Sequence, residues 1–482
     1  MNVNFADILR DTAQRHGERP ALVDGDRRLT WSELDQAVEA TAQGFAAAGL
    51  VPGYRVLLLM PNSIEFVTSY LGILRAGLVA VPLNTGLTKP ELATVAEHSG
   101  ARLAVVDPGL ADRVEGVRTV VPGELQGDAP LLPSIDPETL AVLLYTSGTS
   151  GDPRAAMLTH RALIANVRNL TQLGVDRMGP EDVVLGVLPM FHAFGLNAVL
   201  GWAVASGAAL VVEQRFDPEH TLQLIGRYGV TRLPLAPPAL HALLTRPDLR
   251  EALETVKVVL TGASTLDRAL ADRFEQASGL HVNQGYGLTE ASPGVTTTLG
   301  EVAPKPGSVG RPLPNVEVRI ADEQGEDVEG DDPGEIVIRG GNLFSGYWPD
   351  GVDGPDEDGW YRTGDVGFLD PDGDLFLVDR LRELIIVSGF NVFPSEVEDV
   401  LVGAPGVREA AVIGVPSEET GEAVKAFVVP APDATVDPAA VGEYAATRLA
   451  RFKCPVEIEV VDHLPHSVTG KVAKGRLREG DR

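Results

Sequence analysis

The sequence predicts an α/β protein with a large N-terminal domain of mostly parallel αβ sheets plus a β-rich part, and a small α+β C-terminal domain. Three observations predict this fold class. Strand-like and helix-like patterns alternate over roughly the first 380 residues, short β-like runs between Gly/Asp turns begin near residue 310, and a mixed pattern returns after residue 380. We therefore place the large domain at 1–379, its β-rich part at about 310–379, and the small domain at 380–482.

The first half of the chain repeats strand, helix and strand patterns at short intervals. The apolar run RVLLL (55–59) is typical of a buried strand, and it is followed by a helical pattern over 64–76 and a second apolar run at 78–82. Because crossovers between parallel strands are nearly always right-handed, this spacing indicates βαβ units. The same reasoning predicts helices at 5–16, 31–48 and 88–98, a strand at 103–106, and further alternating elements at 183–188, 208–212, 222–228 and 256–260.

From about residue 310 the predicted elements become short strands between turns. Short strand-like runs between turn residues are typical of antiparallel sheets. The acidic, Gly-rich stretch 350–359 is predicted to be a surface loop. The predicted strands here are 316–320, 335–339 and 375–378. In the small domain we predict a helix at 394–401, strands at 410–415 and 423–429, a helix at 438–449 and a strand at 456–460.

Composition and charge exclude several classes of protein. Apolar residues make up 44% of the chain and charged residues 22%, which excludes global disorder, a coiled coil and collagen. The formal net charge of −28 repels phosphate backbones, so the sequence excludes non-specific nucleic-acid binding. A small phosphate ligand must therefore be held locally, by backbone amides, single basic residues or a metal.

Cysteine content and hydropathy predict a cytoplasmic protein without a transmembrane segment. Cys454 is the sole cysteine, which excludes an intramolecular disulfide and a multi-thiolate metal site. Charges begin at Asp7, too early for the apolar core of a signal peptide. The most membrane-like stretch, 195–212, contains several glycines and stops at Glu213, so it predicts a buried Gly/Ala-rich helix followed by a strand.

The segment YTSGTSGDPRAA (145–156) follows an apolar, strand-like run. Its glycines allow backbone N–H groups to turn inward and its hydroxyls add donors, which together can cradle an anion. It lacks the Gly-Lys-Ser/Thr ending of a Walker loop. A Ser/Gly surface loop is the alternative interpretation, and the position directly after a buried-type strand favours the anion cradle.

Three further segments carry residue types suited to a nucleotide. QGYGLTE (284–290) places a tyrosine between glycines, ahead of a hydroxyl and a carboxylate that suit phosphate and Mg²⁺. WYRTGD (360–365) ends in an aspartate that can accept from both ribose hydroxyls, and VTGKVAK (468–474) carries a lysine that can point at a phosphate. Taken singly, each has a structural alternative: a packed tyrosine, a turn-forming aspartate and a solvated lysine.

The joint order of these segments is more specific than any one of them. Together with LTWSELDQ (29–36), PMFHAFG (189–195) and DRLRELIIVSGFNVFPSEVE (379–398), they resemble the adenylate-forming superfamily, which includes acyl-CoA synthetases, firefly luciferase and peptide-synthetase adenylation domains. The resemblance spans almost the whole chain and is strongest to stand-alone fatty acyl-CoA ligases. It implies that a carboxylic acid reacts with MgATP to give pyrophosphate and an acyl-adenylate, from which a thiol, usually that of coenzyme A, takes the acyl group.

The resemblance also implies a role for each matching residue. Lys471 would bridge the carboxylate and the α-phosphate, Thr289 would contact the α-phosphate, and Glu290 would bind Mg²⁺. His192 would be a gate between the ATP and acyl pockets, with a hydrogen-bonded histidine in a helix-capping loop as the alternative. Arg382 would be the hinge about which the small domain rotates between the half-reactions, a movement that can limit turnover.

The same resemblance implies the lining of three pockets. The ATP- and AMP-binding residues would be Thr146, Ser147, Gly148, Thr149, Ser150, Gly151, Arg154, Gly262, Ala263, Ser264, Tyr286 near adenine, Gly287, and the ribose-binding pair Asp365 and Arg380. The acyl pocket would be lined by Ala193, Phe194, Gly195, Asn197, Gly285, Ala291, Ser292 and Gly294. The tunnel for coenzyme A would be bordered by Ser388, Gly389 and Phe390.

These small or apolar acyl-pocket residues favour an acid with a hydrophobic tail, and we expect a medium- to long-chain fatty acid. An aryl acid is the alternative substrate. Ala193 disfavours an amino acid as substrate, because amino-acid-activating relatives place an Asp there.

Coenzyme A is the expected acceptor of the acyl group, with the phosphopantetheine of an acyl carrier protein as the alternative. A homodimer is possible. A non-catalytic nucleotide-binding scaffold is the alternative from another class, disfavoured by the presence of Lys471, Glu290 and Asp365.

The chain departs from the family pattern at the end of the phosphate loop. Relatives commonly have Pro-Lys-Gly there, whereas this chain has Pro153, Arg154 and Ala155. Arginine replaces a point charge with a planar fork, and alanine would forbid a positive φ if one is needed. We therefore expect weaker or altered handling of ATP without loss of activity.

Overall fold

The chain forms two compact units. A computed structural model describes residues 3–132, 136–146, 154–174, 177–262, 266–301, 304–322, 324–328, 332–380, 383, 385–387, 390–417, 420–432, 434–466 and 472–479. The large unit comprises Met1–Glu317 and Ile338–Tyr361, and the small unit comprises Val318–Val337 and Arg362–Arg482. The predicted domain boundary at 379/380 stays a prediction, since this grouping by contacts places part of the predicted β-rich stretch with the C-terminal residues.

Strands and helices alternate along the large unit. Its strands are β1 (Pro20–Asp24), β2 (Arg27–Thr30), β3 (Arg55–Leu59), β4 (Val79–Pro82), β5 (Leu103–Val106), β6 (Thr119–Val120), β7 (Leu140–Thr146), β8 (Arg154–Thr159), β9 (Val183–Gly186), β10 (Ala209–Val212), β11 (Arg232–Leu235), β12 (Val258–Thr261), β13 (Val282–Gly287), β14 (Gly294–Thr297) and β15 (Arg311–Pro312). Its helices are α1 (Asp7–His16), α2 (Trp31–Ala47), α3 (Ile64–Arg75), α4 (Lys89–Ser99), α5 (His160–Thr171), α6 (Trp202–Ser206), α7 (Pro218–Tyr228), α8 (Pro237–Leu243), α9 (Leu249–Ala252) and α10 (Arg268–Ser278).

These strands build two sheets with a parallel centre. The first has the order β6-β5-β3-β4-β7-β8, and it is parallel except for the pair β7–β8. The second has the order β15-β14-β13-β12-β11-β9-β10-β1-β2, parallel from β13 to β1 and antiparallel at both edges. The sheets confirm the predicted mostly parallel α/β architecture, and the strands β7 and β13, which lead into two of the motifs, belong to different sheets.

Local sequence signals explain where the helices begin. Thr30 and Thr88 each form a capping box with a glutamate three residues on, which satisfies two backbone N–H groups at the start of α2 and α4. The predicted Gly/Ala-rich helix at 195–212 is a wide π-helical segment, Phe194–Gly201, that continues into α6 and then β10. Its buried face confirms the predicted core helix.

The small unit contains a sheet, helices and a core of its own. Its elements are β16 (Val316–Ala321), β17 (Gly334–Gly340), β18 (Trp360–Leu369), β19 (Leu375–Arg380), β20 (Ile385–Val387), β21 (Phe390–Val392), α11 (Pro394–Val402), β22 (Val407–Ser417), β23 (Gly421–Pro430), α12 (Pro438–Ala446), β24 (Glu457–Val460) and α13 (Lys474–Glu479), with the residues of β16 to β18 divided between the units. The sheet β21-β20-β23-β22, with β24 beside β23, packs on α11 and α12 around Val397, Leu401 and Val441. This arrangement confirms the predicted α+β pattern.

None of the helices in the described part of the chain combines the length and the apolar character that crossing a bilayer requires.

Candidate active site

The two strands that flank the predicted anion cradle pair with each other where the first sheet changes from parallel to antiparallel. β7 is buried from Ala141 to Leu144 and ends at Thr146, whose cross-strand partner Arg154 begins β8. Ser147, Gly148, Thr149, Ser150 and Gly151, the predicted loop between them, lie outside the described residues. The two strands therefore fix both ends of the loop at the carboxyl end of a buried strand, the edge where ligands bind in α/β sheets.

Arg154 and Ala155, which depart from the family pattern, are both held in β8. The Arg154 guanidinium carbon lies 3.9 Å from the centroid of the Tyr347 ring, and its Nη2 donates to Asp353 Oδ2 at 2.5 Å. Ala155 is fully buried opposite Tyr145 in the strand ladder, and its φ is not positive. The penalty considered for alanine therefore does not arise, because strand geometry suits any L residue.

The segment QGYGLTE joins the end of β13 to a tight turn. Tyr286 is buried, and β13 ends at Gly287, where an added Cβ would lie 2.2 Å from the carbonyl oxygen of Pro293. Only glycine fits at this position without a backbone shift. Thr289 and Glu290 follow in a short 3₁₀ turn at the carboxyl edge of the sheet.

Glu290 is a buried carboxylate with a tyrosine partner. The hydroxyl of Tyr347 donates to Glu290 Oε1, and the backbone N–H of Phe344 donates to the Glu290 carbonyl oxygen at 2.8 Å. Burial, and then the Glu290 charge, raise the pKa of Tyr347 well above its usual range. The hydroxyl is therefore protonated at neutral pH and acts as a donor to the carboxylate.

Three buried asparagines hold the turn that follows Glu290, residues 291–294. Asn342 Nδ2 donates to two carbonyl oxygens of this turn at 2.8 Å each, and Asn197 Nδ2 donates to a third at 2.6 Å. Asn166 Oδ1 accepts from a backbone N–H of the turn at 3.0 Å. Of the three, sequence analysis selected only Asn197, because side chains that support a turn from distant elements leave no local pattern.

Asn62 supports the loop that carries His192, and sequence reasoning missed it. Its Nδ2 donates to the carbonyl oxygens of Gly186 and Leu188 at 3.1 and 2.9 Å. Its Oδ1 accepts from the backbone N–H of Met190 at 2.9 Å. These bonds explain why β9 ends at Gly186 and not at residue 188 as predicted. The available signal was a polar residue just past the carboxyl end of β3, since that edge faces the ligands of α/β sheets.

Several predicted acyl-pocket residues lie together beside the loop that carries His192. Ala193 directly precedes the wide helical segment, and its first residues include Phe194, Gly195 and Asn197. The turn that Asn197 holds contains Ala291, Ser292 and Gly294. An added Cβ at Gly262 would lie 3.1 Å from the Gly285 carbonyl oxygen and 3.4 Å from the Phe194 ring. Ala263 and Ser264 lie outside the described residues.

A narrow apolar cavity of about 20 Å³, room for roughly one water molecule, lies between the wide helical segment and the sheet. Ala198, Val199 and Trp202 form one side, and Leu260, two residues before Gly262, lies on the other. Its further lining residues are Met178, Val184, Arg232, Leu233, Pro234, Val258 and Leu299. Arg232 is the charged member of the lining, and it forms an ion pair with Asp182 at 3.2 Å.

In the small unit, the predicted ribose-binding pair falls on one cross-strand pair. Asp365 in β18 is the partner of Arg380 in β19, and Gly364 before it has a φ of 73° that favours glycine. The backbone of Phe390 pairs with Val387. Arg382, Ser388, Gly389 and Lys471, together with the side chains of Arg380 and Phe390, lie outside the described residues.

Lys474 ties the C-terminal helix to the rest of the small unit. Its Nζ lies 2.9 Å from Glu383 Oε2 and 2.7 Å from Glu398 Oε1. Burial alone would lower the pKa of Lys474, but the two carboxylates outweigh it and the pKa is raised. The ammonium is therefore charged at neutral pH, three residues after the predicted catalytic lysine.

Comparison with known proteins places these features in a family context. The family model described as AMP-binding enzyme matches residues 9–348, and the one described as AMP-binding enzyme C-terminal domain matches residues 396–471. A feruloyl-CoA synthase of Amycolatopsis is 37% identical over 97% of this chain and 95% of its own, and a long-chain-fatty-acid–CoA ligase of Bacillus subtilis is 32% identical over 99% and 94%. The solved structure of ATP-bound MatB from Rhodopseudomonas palustris is 32% identical, with a TM-score of 0.92 over 100% of this chain and 99% of that chain.

Proposed function

The chain belongs to the family of AMP-binding enzymes, and on this premise we propose that it is an AMP-forming acid–CoA ligase that activates a medium- to long-chain fatty acid. The family membership rests on similarity over almost the whole length of both chains. The substrates and cofactor of this reaction are a carboxylic acid, ATP, coenzyme A and Mg²⁺.

In the first half-reaction, a carboxylate oxygen of the acid attacks the α-phosphorus of ATP. The bond to the bridging oxygen of the β-phosphate breaks, and pyrophosphate leaves. Negative charge gathers on the α-phosphate, so the residues must supply donors there. We assign this role to Thr289, to Lys471 and to the loop that begins at Thr146.

A magnesium ion fits the donor set beside this phosphate. Glu290 offers a buried carboxylate, with the hydroxyl of Thr289 next to it in the same turn. Mg²⁺ prefers oxygen ligands together with substrate phosphates, and when bound it would neutralise charge on them. The task of the protein is to hold the Glu290 carboxylate in place.

In the second half-reaction, the thiol of coenzyme A attacks the carbonyl carbon of the acyl-adenylate. A thioester forms, the thiol proton is released and AMP leaves. We assign ribose binding to Asp365 and Arg380, the hinge to Arg382, and the thiol tunnel to Ser388, Gly389 and Phe390. The cross-strand pairing of Asp365 with Arg380 supports the first of these assignments.

The predicted acyl-pocket residues support the choice of a hydrophobic acid. They are mainly small or apolar and none of them is charged, and the Phe194 ring lies beside Gly262. Burying each methylene of an acyl tail against apolar side chains would contribute about 0.8 kcal/mol, so such a lining favours a chain over a short polar acid.

A phenylpropenoic acid is the second candidate substrate. The feruloyl-CoA synthase of Amycolatopsis and a 4-coumarate–CoA ligase of rice, at 37% and 36% identity, resemble this chain more than the fatty-acid ligase of Bacillus subtilis does at 32%. The Phe194 ring beside Gly262 offers a flat surface on which an aryl ring could stack.

A pyrophosphate-release screen separates these candidates. The full chain is supplied with MgATP and with C4 to C18 fatty acids, cinnamic acids and benzoates, with and without coenzyme A. The proposal predicts the highest kcat/KM for a fatty acid of medium or long chain; a clear preference for cinnamic acids or benzoates would contradict it.

The same assay tests the remaining alternatives. Transfer to a holo acyl carrier protein in preference to coenzyme A would identify a carrier-loading enzyme. Absence of acid-dependent exchange between ATP and pyrophosphate would favour a nucleotide-binding scaffold. The possible homodimer and the cytoplasmic location stay predictions, and sedimentation velocity and cell fractionation test them.

A further inference from the structure

Tyr347 is fixed on several sides around its hydrogen bond to Glu290. The Arg154 guanidinium covers one ring face at 3.9 Å, and the Phe344 ring meets it edge-on with centroids 5.1 Å apart. The Tyr361 hydroxyl also interacts with the phenol of Tyr347. A phenol held in this way has little freedom, so its hydroxyl defines where the Glu290 carboxylate points.

The segment that carries Tyr347 is joined to β8, the strand that ends the predicted phosphate loop. The backbone N–H of Trp348 donates to the Ala155 carbonyl at 2.9 Å, and the N–H of Met157 donates to the Gly346 carbonyl at 3.1 Å. Ala156 and Tyr347 form a β-bridge between these bonds. The base of the phosphate loop and the carboxylate of Glu290 are therefore connected through one short segment.

The Arg154 side chain contacts Tyr347 in this connecting segment. Its guanidinium is engaged by Asp353 at 2.5 Å and by the Tyr347 ring, and its side chain is 26% exposed. The planar guanidinium covers the Tyr347 ring while its Nη2 bonds to Asp353, whereas the compact ammonium of a lysine has no extended group that could do both. The departure from the family pattern at residue 154 thus coincides with a specific partner for arginine.

We propose that Tyr347 is a positioning residue for the metal-binding carboxylate of Glu290, and that Arg154, anchored by Asp353, acts on that carboxylate through Tyr347. The proposal rests on the proposed function, in which Glu290 binds Mg²⁺. A carboxylate can accept with both oxygens, so the bond from Tyr347 to Oε1 orients Oε2 for a metal. Outer-shell partners of this kind typically contribute 10- to 100-fold to metal affinity.

The test measures binding of metal and nucleotide separately in the full chain. Mn²⁺ replaces Mg²⁺ as a paramagnetic probe, and its affinity for the ATP-loaded protein is measured by electron paramagnetic resonance. ATP affinity is measured by calorimetry in EDTA. For Tyr347→Phe, which keeps the ring, we expect about tenfold weaker Mn²⁺ binding with ATP affinity in EDTA unchanged. Tyr70→Phe is the matched control, because it removes a buried hydroxyl that has no hydrogen-bond partner in the described part of the chain.

A second variant separates the proposed route from direct contact of Arg154 with phosphate. Asp353 has a φ of 53°, which asparagine tolerates, so Asp353→Asn removes the anchor with little backbone strain. If Arg154 acts through Tyr347, Mn²⁺ affinity falls by about two- to threefold and ATP affinity in EDTA is unchanged. If the freed Arg154 instead contacts phosphate, ATP affinity in EDTA rises.

Any of three results would overturn the proposal: unchanged Mn²⁺ affinity in Tyr347→Phe, unchanged Mn²⁺ affinity in Asp353→Asn, or a rise in metal-free ATP affinity in Asp353→Asn. If Tyr347→Phe does not fold, Asp353→Asn carries the test alone. Failure of the proposed function itself looks different, because the parent chain would then show no acid-dependent exchange between ATP and pyrophosphate.

Discussion

Two antiparallel strand pairs in the large unit, β7–β8 and β13–β14, carry the two predicted phosphate motifs and are held in different ways. The pair β7–β8 forms a long ladder that runs from Leu140 to Thr159, and backbone bonds attach it to the segment 345–348. The pair β13–β14 has a short ladder, and buried asparagine side chains hold the turn between its strands.

This difference shows which changes each motif tolerates. A motif held by its backbone accepts a different side chain, as Ala155 in β8 demonstrates. A motif held by the side-chain amides of distant residues depends on each of them. A buried carbonyl that loses its donor pays the full desolvation penalty, and this lowers the free energy of unfolding. We therefore expect substitutions around β13–β14 to be more damaging than substitutions within β7–β8.

The largest expected effect is a loss of folding stability at acidic pH, caused by a buried histidine at the start of the helix that follows β8. His160 begins α5, and its buried Nδ1 accepts from the backbone N–H of Phe5 at 3.1 Å. Burial lowers the pKa of His160 to about 4, so the unfolded chain binds the proton first as pH falls below about 6.5. The contribution of neutral His160 to the free energy of unfolding is fully present above pH 6.5. About 3 kcal/mol of it is lost as the pH falls from 6.5 to 4.

Thermal unfolding followed by circular dichroism at several pH values measures this loss. His160→Asn is the comparison variant. The asparagine side-chain oxygen can accept from the backbone N–H of Phe5, and the amide does not titrate in this pH range. The parent is expected to lose stability more steeply than the variant between pH 6.5 and 4. Parallel curves for the two proteins would show that His160 does not take up the proton on unfolding.

Removal of an amide beside β14 is expected to have the next largest effect. Asn342 is fully buried, and its Nδ2 serves the carbonyl oxygens of Ala291 and Gly294. Asn342→Ala should lower the free energy of unfolding by about 2–3 kcal/mol, because both carbonyls lose their donor. Adenylate formation should also slow, since the turn follows directly from Glu290.

Asn84→Ala is the matched control for this variant. Asn84 accepts from the backbone N–H of Gly86 in a half-exposed loop, where water can replace it. Urea unfolding of both variants, together with the rate of exchange between ATP and pyrophosphate, separates the two positions. Equal effects of the two substitutions would contradict the difference drawn between the strand pairs.

The smallest effect is expected when the family's glycine is restored in β8. Ala155→Gly should cost about 1–2 kcal/mol of stability, through the lost buried methyl group and the added freedom of the unfolded chain. The KM for ATP should stay within about twofold of the parent, because the φ of Ala155 is not positive. A marked fall in that KM would mean that the alanine does restrict nucleotide binding, as the sequence analysis considered.

The sequence predicted the path of the chain up to the motifs with good accuracy. The strand at 55–59 and the helix and strand within 195–212 are observed, because apolar runs are local signals. Asp365 and Arg380 are cross-strand partners, and their shared role in ribose binding stays a prediction.

The supports of the site could not be predicted in the same way. Tyr347 lies 57 residues from Glu290, and the bonds of Asn62 span 124 residues or more. Such contacts are set by how sheets and loops pack, and no periodicity in the sequence encodes them. For Arg154 the chemistry was noticed in the sequence, but its partners Asp353 and Tyr347 became visible only in the fold.

The most direct test of the account compares the two half-reactions in Lys471→Ala, with the exposed Lys89→Ala as control. We predict that acid-dependent exchange between ATP and pyrophosphate falls by about 10²- to 10³-fold, as on removal of one charge-stabilising donor. Transfer of the acyl group from supplied acyl-adenylate to coenzyme A should stay within a few-fold of the parent. Exchange at the parental rate in Lys471→Ala would contradict the claim that this lysine acts in adenylate formation.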